Sequence, residues 1–307
     1  MIRRNLLYLL NRMNHSVFKR ERSMNLDKTI HQSIEGNKII SQLLSDNQPC
    51  MISRYGATEL SVLVHYEKFK FKKEVFWDKN IRKNIEELSG VFPAGEAVLR
   101  RFRDLYVDSS IDIDLLGVWF KPGESMIVNK YCKKAQLTYL DGLEPYYFEN
   151  PWTKFLENKR VLVIHPFEKS IQKQYQENRK MLFTNQEILP TFDLITIKAV
   201  QTIANNQSEF ANWFEALKYM CSRIDEVEYD IAIIGAGAYG LPLASYVKRK
   251  GKKAIHLGGA TQILFGIKGQ RWDGIEKVSS LYNSYWIRPE KSEVPENAEV
   301  VEGACYW

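Results

Sequence analysis

The sequence predicts an α/β fold: a Rossmann-like, mostly parallel sheet with helices on both faces, preceded by N-terminal helices. Three observations predict it. Through the second half, the apolar runs KRVLVIHPF, FDLITIKAV, YDIAIIGAG and KKAIHLGG alternate with the helix-length stretches SIQKQYQENRKMLF, SEFANWFEALKYMCSRI and GLPLASYVKRKG. Such alternation builds a parallel sheet through crossover units. The runs are also continuously apolar, as strands covered on both faces are. Finally, GAGAYG (235–240), a G-x-G-x-x-G, directly follows one run and opens a helix.

The earlier elements fit the same scheme. Residues 27–46 carry Ile30, Ile34, Ile39, Ile40, Leu43 and Leu44 at helical spacing, and SDNQP ends that helix. CMISR reads as a short strand, and GATELSVLVHYEKF as a turn entering a helix. VFWDKNIRKNIEELSGVF and AGEAVLRRFRDLYVDS read as helices and IDIDLLGVWF as a strand. Gly251 stops the helix GLPLASYVKRKG. The sequence predicts a division into basic amphipathic helices over 1–46, a Rossmann-like domain over 47–290 and a tail over 291–307. The aromatic end of that tail, Tyr306–Trp307, predicts that it folds back on the domain.

Charge is localised. Of the net +6, residues 1–22 contribute +5 through Arg3, Arg4, Arg12, Lys19, Arg20 and Arg22 against Glu21, which leaves about +1 for the rest. A nucleic-acid binder spreads its basic face over the folded body, so nucleic acid is not an expected partner. Cys50, Cys132, Cys221 and Cys305 are scattered without a Cys/His cluster, which argues against structural zinc and for a reducing, cytoplasmic compartment. The N-terminal NLLYLL is far shorter than the ~20 residues that span a bilayer, and no small-residue cleavage site follows it. Leu6, Leu7, Leu9, Leu10 and Met13 share one helical face. That face either docks on the domain or a partner chain, or lies on anionic lipid as a peripheral contact with the inner membrane face. Homo-oligomerisation stays open.

Ligand sites in parallel sheets lie beyond the carboxyl ends of the strands, which selects Arg54, His165, Lys198, Gly235 and His256. Gly235, Gly237 and Gly240 permit a tight turn and bring first-turn N–H groups to a phosphate, with Tyr239 inside the loop. A strand–helix turn that merely requires small residues is the plainer alternative. A dinucleotide site also wants an acid at the end of the next strand, and AIHLGG places His256 there. In CMISRYGATEL, Arg54 suits a bidentate grip on a diphosphate and Gly56 opens the turn. Glu59 is a general base, a hydroxyl acceptor, a metal ligand or simply a helix cap. His165 and Ser170 stand at a strand-to-helix exit, where Ser170 could meet a phosphate. Lys198 is a phosphate contact or a surface lysine, with Gln201 nearby. Gly258, Gly259, Thr261 and Gln262 would line the crevice of the first glycine loop. Lys268, Arg271 and Trp272 would close over a ligand or pack.

Together, the Arg-aromatic-Gly-x-x-Glu turn of Arg54–Glu59 and the strand–Gly loop–helix–strand of Asp230–Gly259 ending in His-x-Gly resemble the GT-D type glycosyltransferases. These are Rossmann-like bacterial enzymes first known as a domain of unknown function. The resemblance spans roughly residues 50–272. It implies sugar transfer from a nucleotide diphosphate-sugar, with a UDP-sugar as the expected donor, to a glycan or lipid-linked acceptor in surface polysaccharide synthesis. In that family the turn usually reads Arg-Phe-Gly-Asp-Gly-Glu, whose Asp-x-Glu is associated with the metal and the donor. Here Ala57, Thr58 and Glu59 stand at those positions, so one carboxylate is missing. Metal-dependent transfer through Mn or Mg on Glu59 and metal-independent transfer stand as equal alternatives.

The expected catalytic groups are Glu59 first, then His165 and His256. The expected donor contacts are Arg54, Gly56, Lys198, Gly235, Gly237, Tyr239, Gly240, Gly258, Gly259 and Gln262. Two other readings remain: an NAD(P)-dependent oxidoreductase resting on G-x-G-x-x-G, and a non-catalytic nucleotide-sugar-binding protein.

Overall fold

The computed structural model describes residues 26–71 and 76–307, so the basic segment over 1–22 lies outside the described residues. Eight parallel strands form a single sheet in the order β1-β4-β3-β2-β8-β7-β5-β6. They are β1 (Ile30–His31), β2 (Cys50–Arg54), β3 (Leu115–Val118), β4 (Gln136–Tyr139), β5 (Arg160–His165), β6 (Asp193–Lys198), β7 (Ile231–Ile234) and β8 (Lys253–His256). The helices that matter for the site are α1 (Ser33–Ser45), α2 (Ala57–Phe69), α3 (Lys79–Glu87), α4 (Glu96–Ser110) and α5 (Glu124–Tyr131). Further along come α6 (Glu168–Lys173), α7 (Trp213–Asp225), α8 (Gly240–Arg249) and α9 (Ala260–Leu264).

Alternate residues of each strand feed two hydrophobic clusters, one per face, which is why the runs read as continuously apolar. Met51, Leu116, Leu162, Ile164, Ala232, Ile234 and Ala254 join α2, α4, α5, α7 and α8 on one side. Ile52, Leu115, Val161, Val163, Ile231, Ile233 and Ile255 join α1, α6, α9 and the tail on the other. Burying a side chain of this size contributes about 1.5–3 kcal/mol, so four buried apolar residues in succession in β5 or β7 hold a strand on both faces.

The N-terminal region departs from a single helix over 27–46. Ile30 and His31 pair with Leu137 and Thr138 as an edge strand, and the helix begins only at Ser33. Gly36 lets that helix approach β4: a Cβ there would lie 2.1 Å from Thr138 Oγ1. Helix α5 and strand β4 were not apparent in the sequence; each is short, and QLTY is exposed at its first residue. The stretch SIQKQYQENRKMLF is α6 followed by a π-helical turn, Gln174–Asn178, and a last turn, Arg179–Leu182. Gln174 fastens that turn by donating Nε2–H to the carbonyls of Gly266 and Tyr285, both at 3.0 Å.

One topological feature positions the site. Adjacent strands β2 and β8 pair through Cys50–Lys253 to Ile52–Ile255. Beyond their carboxyl ends, β2 leads into α2 in the first cluster and β8 into α9 in the second. Chains that leave neighbouring strand ends toward opposite faces open a crevice between them.

Candidate functional site at the β2–β8 exit

That crevice holds a cavity of about 170 Å³, walled by the exits of β2, β3, β5, β7 and β8 and by the C-terminal tail. Of the residues expected at the site, Arg54, Gly56, Glu59, His165, Gly235, Gly237, His256, Gly258, Gly259 and Gln262 line it. Lys198, Tyr239 and Gly240 do not. Lys198 ends the edge strand β6 and is exposed. Tyr239 is a core residue, stacked on Trp213 with ring centroids 4.8 Å apart and its hydroxyl 3.3 Å from Thr202 Oγ1. Gln201, three residues past Lys198, does reach the cavity.

Arg54 is the last residue of β2, and its guanidinium is fixed from two sides. Its Nε–H and Nη2–H donate to the carbonyl of Tyr55 at 3.3 and 3.2 Å. The same oxygen accepts from Trp119 Nε1–H at 3.0 Å, and Arg54 lies 4.4 Å from the centroid of the Trp119 ring. One carbonyl thus locks an arginine against an indole, which lowers the ordering cost of gripping an anion. The Nη1 edge lies 3.8 Å from where a Cβ of Gly258 would stand, so a side chain there would crowd that edge from the β8 side.

Trp119 was not singled out from the sequence, where it closed a strand. It sits on a turn held by Glu124, whose buried Oε2 accepts the N–H groups of Trp119 at 3.2 Å and Lys121 at 3.1 Å. Between them Phe120 adopts φ 62°, a left-handed conformation that costs a bulky residue on the order of 1 kcal/mol or more. Oε1 of Glu124 is buried without a partner among the described residues, and burial pushes its carboxyl above the usual range.

Glu59 takes the helix-end position the sequence allows it and also lines the cavity. It sits in the first turn of α2, whose N-cap is Gly56, and its carboxylate folds back so far that a Gly56 Cβ would lie 1.8 Å from Oε2. Burial raises its pKa above the ordinary carboxylate value, against hydrogen bonds from its own N–H and from Ser89 and the charge of Arg54. It therefore caps the helix and faces the cavity at once. As to a divalent ion, among the described residues no three His, Cys, Asp or Glu side chains converge. With Ala57 beside it and its oxygens turned onto the helix end, Glu59 does not provide a donor set for a protein-held metal.

The two histidines are both neutral and differ in what they offer. His165 Nδ1 accepts the N–H of Phe167 at 2.9 Å, which places the proton on Nε2 and makes the ring a donor toward the cavity. Burial pushes its pKa down to about 3. His256 shares a 3.0 Å hydrogen bond between Nδ1 and Ser53 Oγ, and burial with the nearby Arg54 also holds it down to about 3. Gly240, though outside the cavity, makes room for this ring: a Cβ there would lie 2.3 Å from Nε2.

The glycine loop divides its labour. Gly235 is a close-packing position, where a Cβ would meet His165 Cδ2 at 2.5 Å and the Gly258 carbonyl at 2.8 Å. Gly237 has φ 52° and open space where its Cβ would be. Gly235 N–H donates to the Ile164 carbonyl and Tyr239 N–H to the Ala236 carbonyl, so the N–H groups of Ala236, Gly237 and Ala238 between them belong to a helix end without intrahelical acceptors.

The other strand-to-helix exit differs. The N-terminus of α6, where Ser170 stands, is filled by the Glu293 carboxylate, which accepts Lys169 N–H at 2.7 Å, Ser170 N–H and the Ser170 hydroxyl. The tail closes the remaining wall with Val301, Glu302, Tyr306 and Trp307. Arg271 forms an ion pair with Glu302 and donates to the Tyr306 hydroxyl at 3.1 Å, while Gln262 donates to the Tyr306 carbonyl at 3.1 Å. Trp272 packs on Gly259, and Lys268 lies outside the cavity.

No family model and no curated protein matches the chain. Among solved structures, it is similar to one described as a highly conserved domain of unknown function 1792 with a distinct glycosyltransferase fold. The TM-score is 0.40 at 11% identity, over 75% of this chain and 78% of that one.

Proposed function

We propose that the chain is a glycosyltransferase that takes a sugar from a nucleoside diphosphate-sugar, a UDP-sugar first, and passes it to a hydroxyl of a glycan or lipid-linked acceptor. The observation that carries the reading is the Arg54–Trp119–Tyr55 lock beside Gly258 at the β2–β8 exit, a prepositioned cation in a glycine-walled cavity. A diphosphate fits this chemistry. Arg54 offers charge-assisted hydrogen bonds, and the Gly235–Gly240 turn offers backbone N–H groups and close approach. Tyr306 and Trp119 add aromatic edges and walls to the cavity beside Arg271 and Arg54.

The step itself follows from the residues. The bond between the sugar anomeric carbon and the leaving phosphate oxygen breaks, a bond to the acceptor oxygen forms, and the diphosphate departs with its charge held by Arg54. In direct displacement the acceptor proton goes to Glu59, whose burial makes it a stronger base than an exposed carboxylate. His165, with its proton on Nε2, donates to a phosphate or sugar oxygen instead of acting as a base. His256 sets the packing at the β8 exit through Ser53 and Gly240. Where an NAD enzyme would hold the ribose with an acid, this neutral imidazole stands.

A thermal-shift screen of UDP-, GDP- and CMP-sugars and NADH, each with and without Mn²⁺ or Mg²⁺, tests ligand class and metal dependence together. Stabilisation by a nucleoside diphosphate-sugar is expected, and stabilisation by NADH alone would overturn the proposal. Turnover that survives Glu59→Gln would remove Glu59 as the base. Peripheral contact with anionic lipid through residues 1–22 belongs to the same proposal; no helix among the described residues is long and apolar enough to cross a membrane.

A further inference from the structure

At the pole opposite the cavity, the surface is built differently. Helix α2 starts at the cavity and runs 13 residues away from it, about 20 Å at 1.5 Å per residue. Just beyond its end Phe71 is 92% exposed, and Phe76, where the described chain resumes, is 69% exposed. They have the largest exposures among the large apolar side chains described. Isolated apolar residues on a surface need no explanation, but two bare phenylalanines set among cations do.

The cations come from three segments. Lys68 and Lys70 belong to the end of α2, and Lys70 Nζ lies 5.0 Å from the Phe71 ring centroid. Lys70, Arg103 and Lys130 converge on one buried carboxylate, Glu67, which ties α5 to this end of α2 and leaves the cluster with excess positive charge. Lys133 and Lys134, both exposed, form the turn after α5. Among the described residues the nearby acids are Glu67, Asp104, which pairs with Arg103, and Asp27.

The described chain begins at this same pole. Asp27 N–H donates to Asn129 Oδ1 at 3.2 Å, and Lys28 Nζ donates to the carbonyls of Cys132 and Ala135 at 2.8 and 2.7 Å. The described chain therefore enters the fold beside Lys130 and Lys133, and the sequence that precedes it, residues 1–22, carries a charge of +5.

We propose that this pole is a docking surface for an anionic lipid membrane. Phe71 and Phe76 enter the interface, and the surrounding lysines meet headgroup phosphates. Charge selects this occupant. The N-terminal segment is itself strongly basic and would be repelled as a cover for the patch. A second copy, joined about a two-fold axis, would set the patch against itself, lysines facing lysines. An anionic bilayer complements both the aromatic and the cationic parts.

Co-sedimentation of the full chain with vesicles tests the surface independently of any transferase activity. Wild type should bind vesicles containing phosphatidylglycerol and release as salt is raised, and should not bind pure phosphatidylcholine. Phe71→Ser/Phe76→Ser should weaken binding at least about tenfold, and Lys133→Glu/Lys134→Glu should weaken it as well. Ile34→Ser, at an exposed apolar residue on α1, should change nothing. Equal binding to both vesicle types, no binding by wild type, or wild-type binding by the double serine variant would overturn the proposal. Tighter vesicle binding by that variant would mean that the N-terminal segment covers the patch. A change in oligomeric state without lipid would mean that a second copy does.

Discussion

Gly240→Ala is the sharpest test of how the glycine motif and His256 fit together. A Cβ at Gly240 would lie 2.3 Å from His256 Nε2, 2.5 Å from Cδ2 and 3.0 Å from Cε1. Ordinary van der Waals contact needs about 3.5–4 Å, so the ring would have to retreat by more than an ångström. It is not free to do so, because Nδ1 is tied to Ser53 Oγ at 3.0 Å and the ring is only 5% exposed. Overpacking of this kind costs about 1–3 kcal/mol, and a buried hydrogen bond broken without replacement adds about 1–3. The gain in helix propensity from replacing Gly returns at most about 1 kcal/mol. The expected net loss is about 2–3 kcal/mol, read as a lower urea midpoint at unchanged m-value. In a His256→Ala background the clash is gone, and Gly240→Ala should become neutral or stabilising. The double-mutant cycle should therefore give a coupling of about 2 kcal/mol. A neutral Gly240→Ala in the wild-type background, or a coupling near zero, would refute the claim that Gly240 exists to seat this imidazole.

Arg54→Lys keeps the charge but loses the planar fork, and should weaken nucleoside diphosphate binding by about 10–100-fold in calorimetry while leaving the bare nucleoside unchanged. Equal losses for both ligands would mean that Arg54 only supports the fold. With His165 and His256 both held down to about 3 and an unfolded imidazole near 6.5, the unfolded chain takes up protons first as pH falls. Their stability contribution is whole above about pH 6.5 and is lost from there toward pH 3, about 2 kcal/mol for each histidine by pH 5. Urea midpoints at pH 7 and pH 5 should show that fall, and His256→Asn should halve it. A midpoint that does not fall would contradict the buried neutral rings. Glu293→Ala strips the N-terminus of α6 of its carboxylate and should cost about 2 kcal/mol, or roughly 3 °C in melting temperature for a chain of this length. An unchanged melting temperature would show that the tail is not anchored there.

Periodicity made the sheet legible, because strands covered on both faces have nothing but apolar residues to show. Strands β5, β7 and β8 and the turn at Arg54 could be read directly, and with them the strand ends where the cavity lies. The short elements were not legible. Ile30–His31 were absorbed into a helical pattern because two residues have no period of their own, and only β4, more than a hundred positions away, makes them a strand. Trp119 was hidden for a related reason. It closes an apolar run like any buried aromatic, and the turn that aims it at Arg54 depends on Glu124 and on a left-handed Phe120, neither of which marks itself in sequence.

The two strand-to-helix exits show where sequence reasoning must stop. HPFEKS after β5 and GAGAYG after β7 both offer a helix end with small or hydroxyl-bearing residues, and both suit an anion by the same electrostatics. In the fold one of them already has its anion: Glu293, 123 residues further along, puts its carboxylate on Ser170. The other faces the cavity, with Gly237 open in front of it and Arg54 across the β2–β8 crevice. What separates a filled helix end from an open one is thus the tail rather than either motif. Removing that carboxylate without adding charge should create a second anion-receptive helix end in the same chain, and an end that still binds no phosphate after Glu293→Gln would show that the cavity's other walls are what make the first one a site.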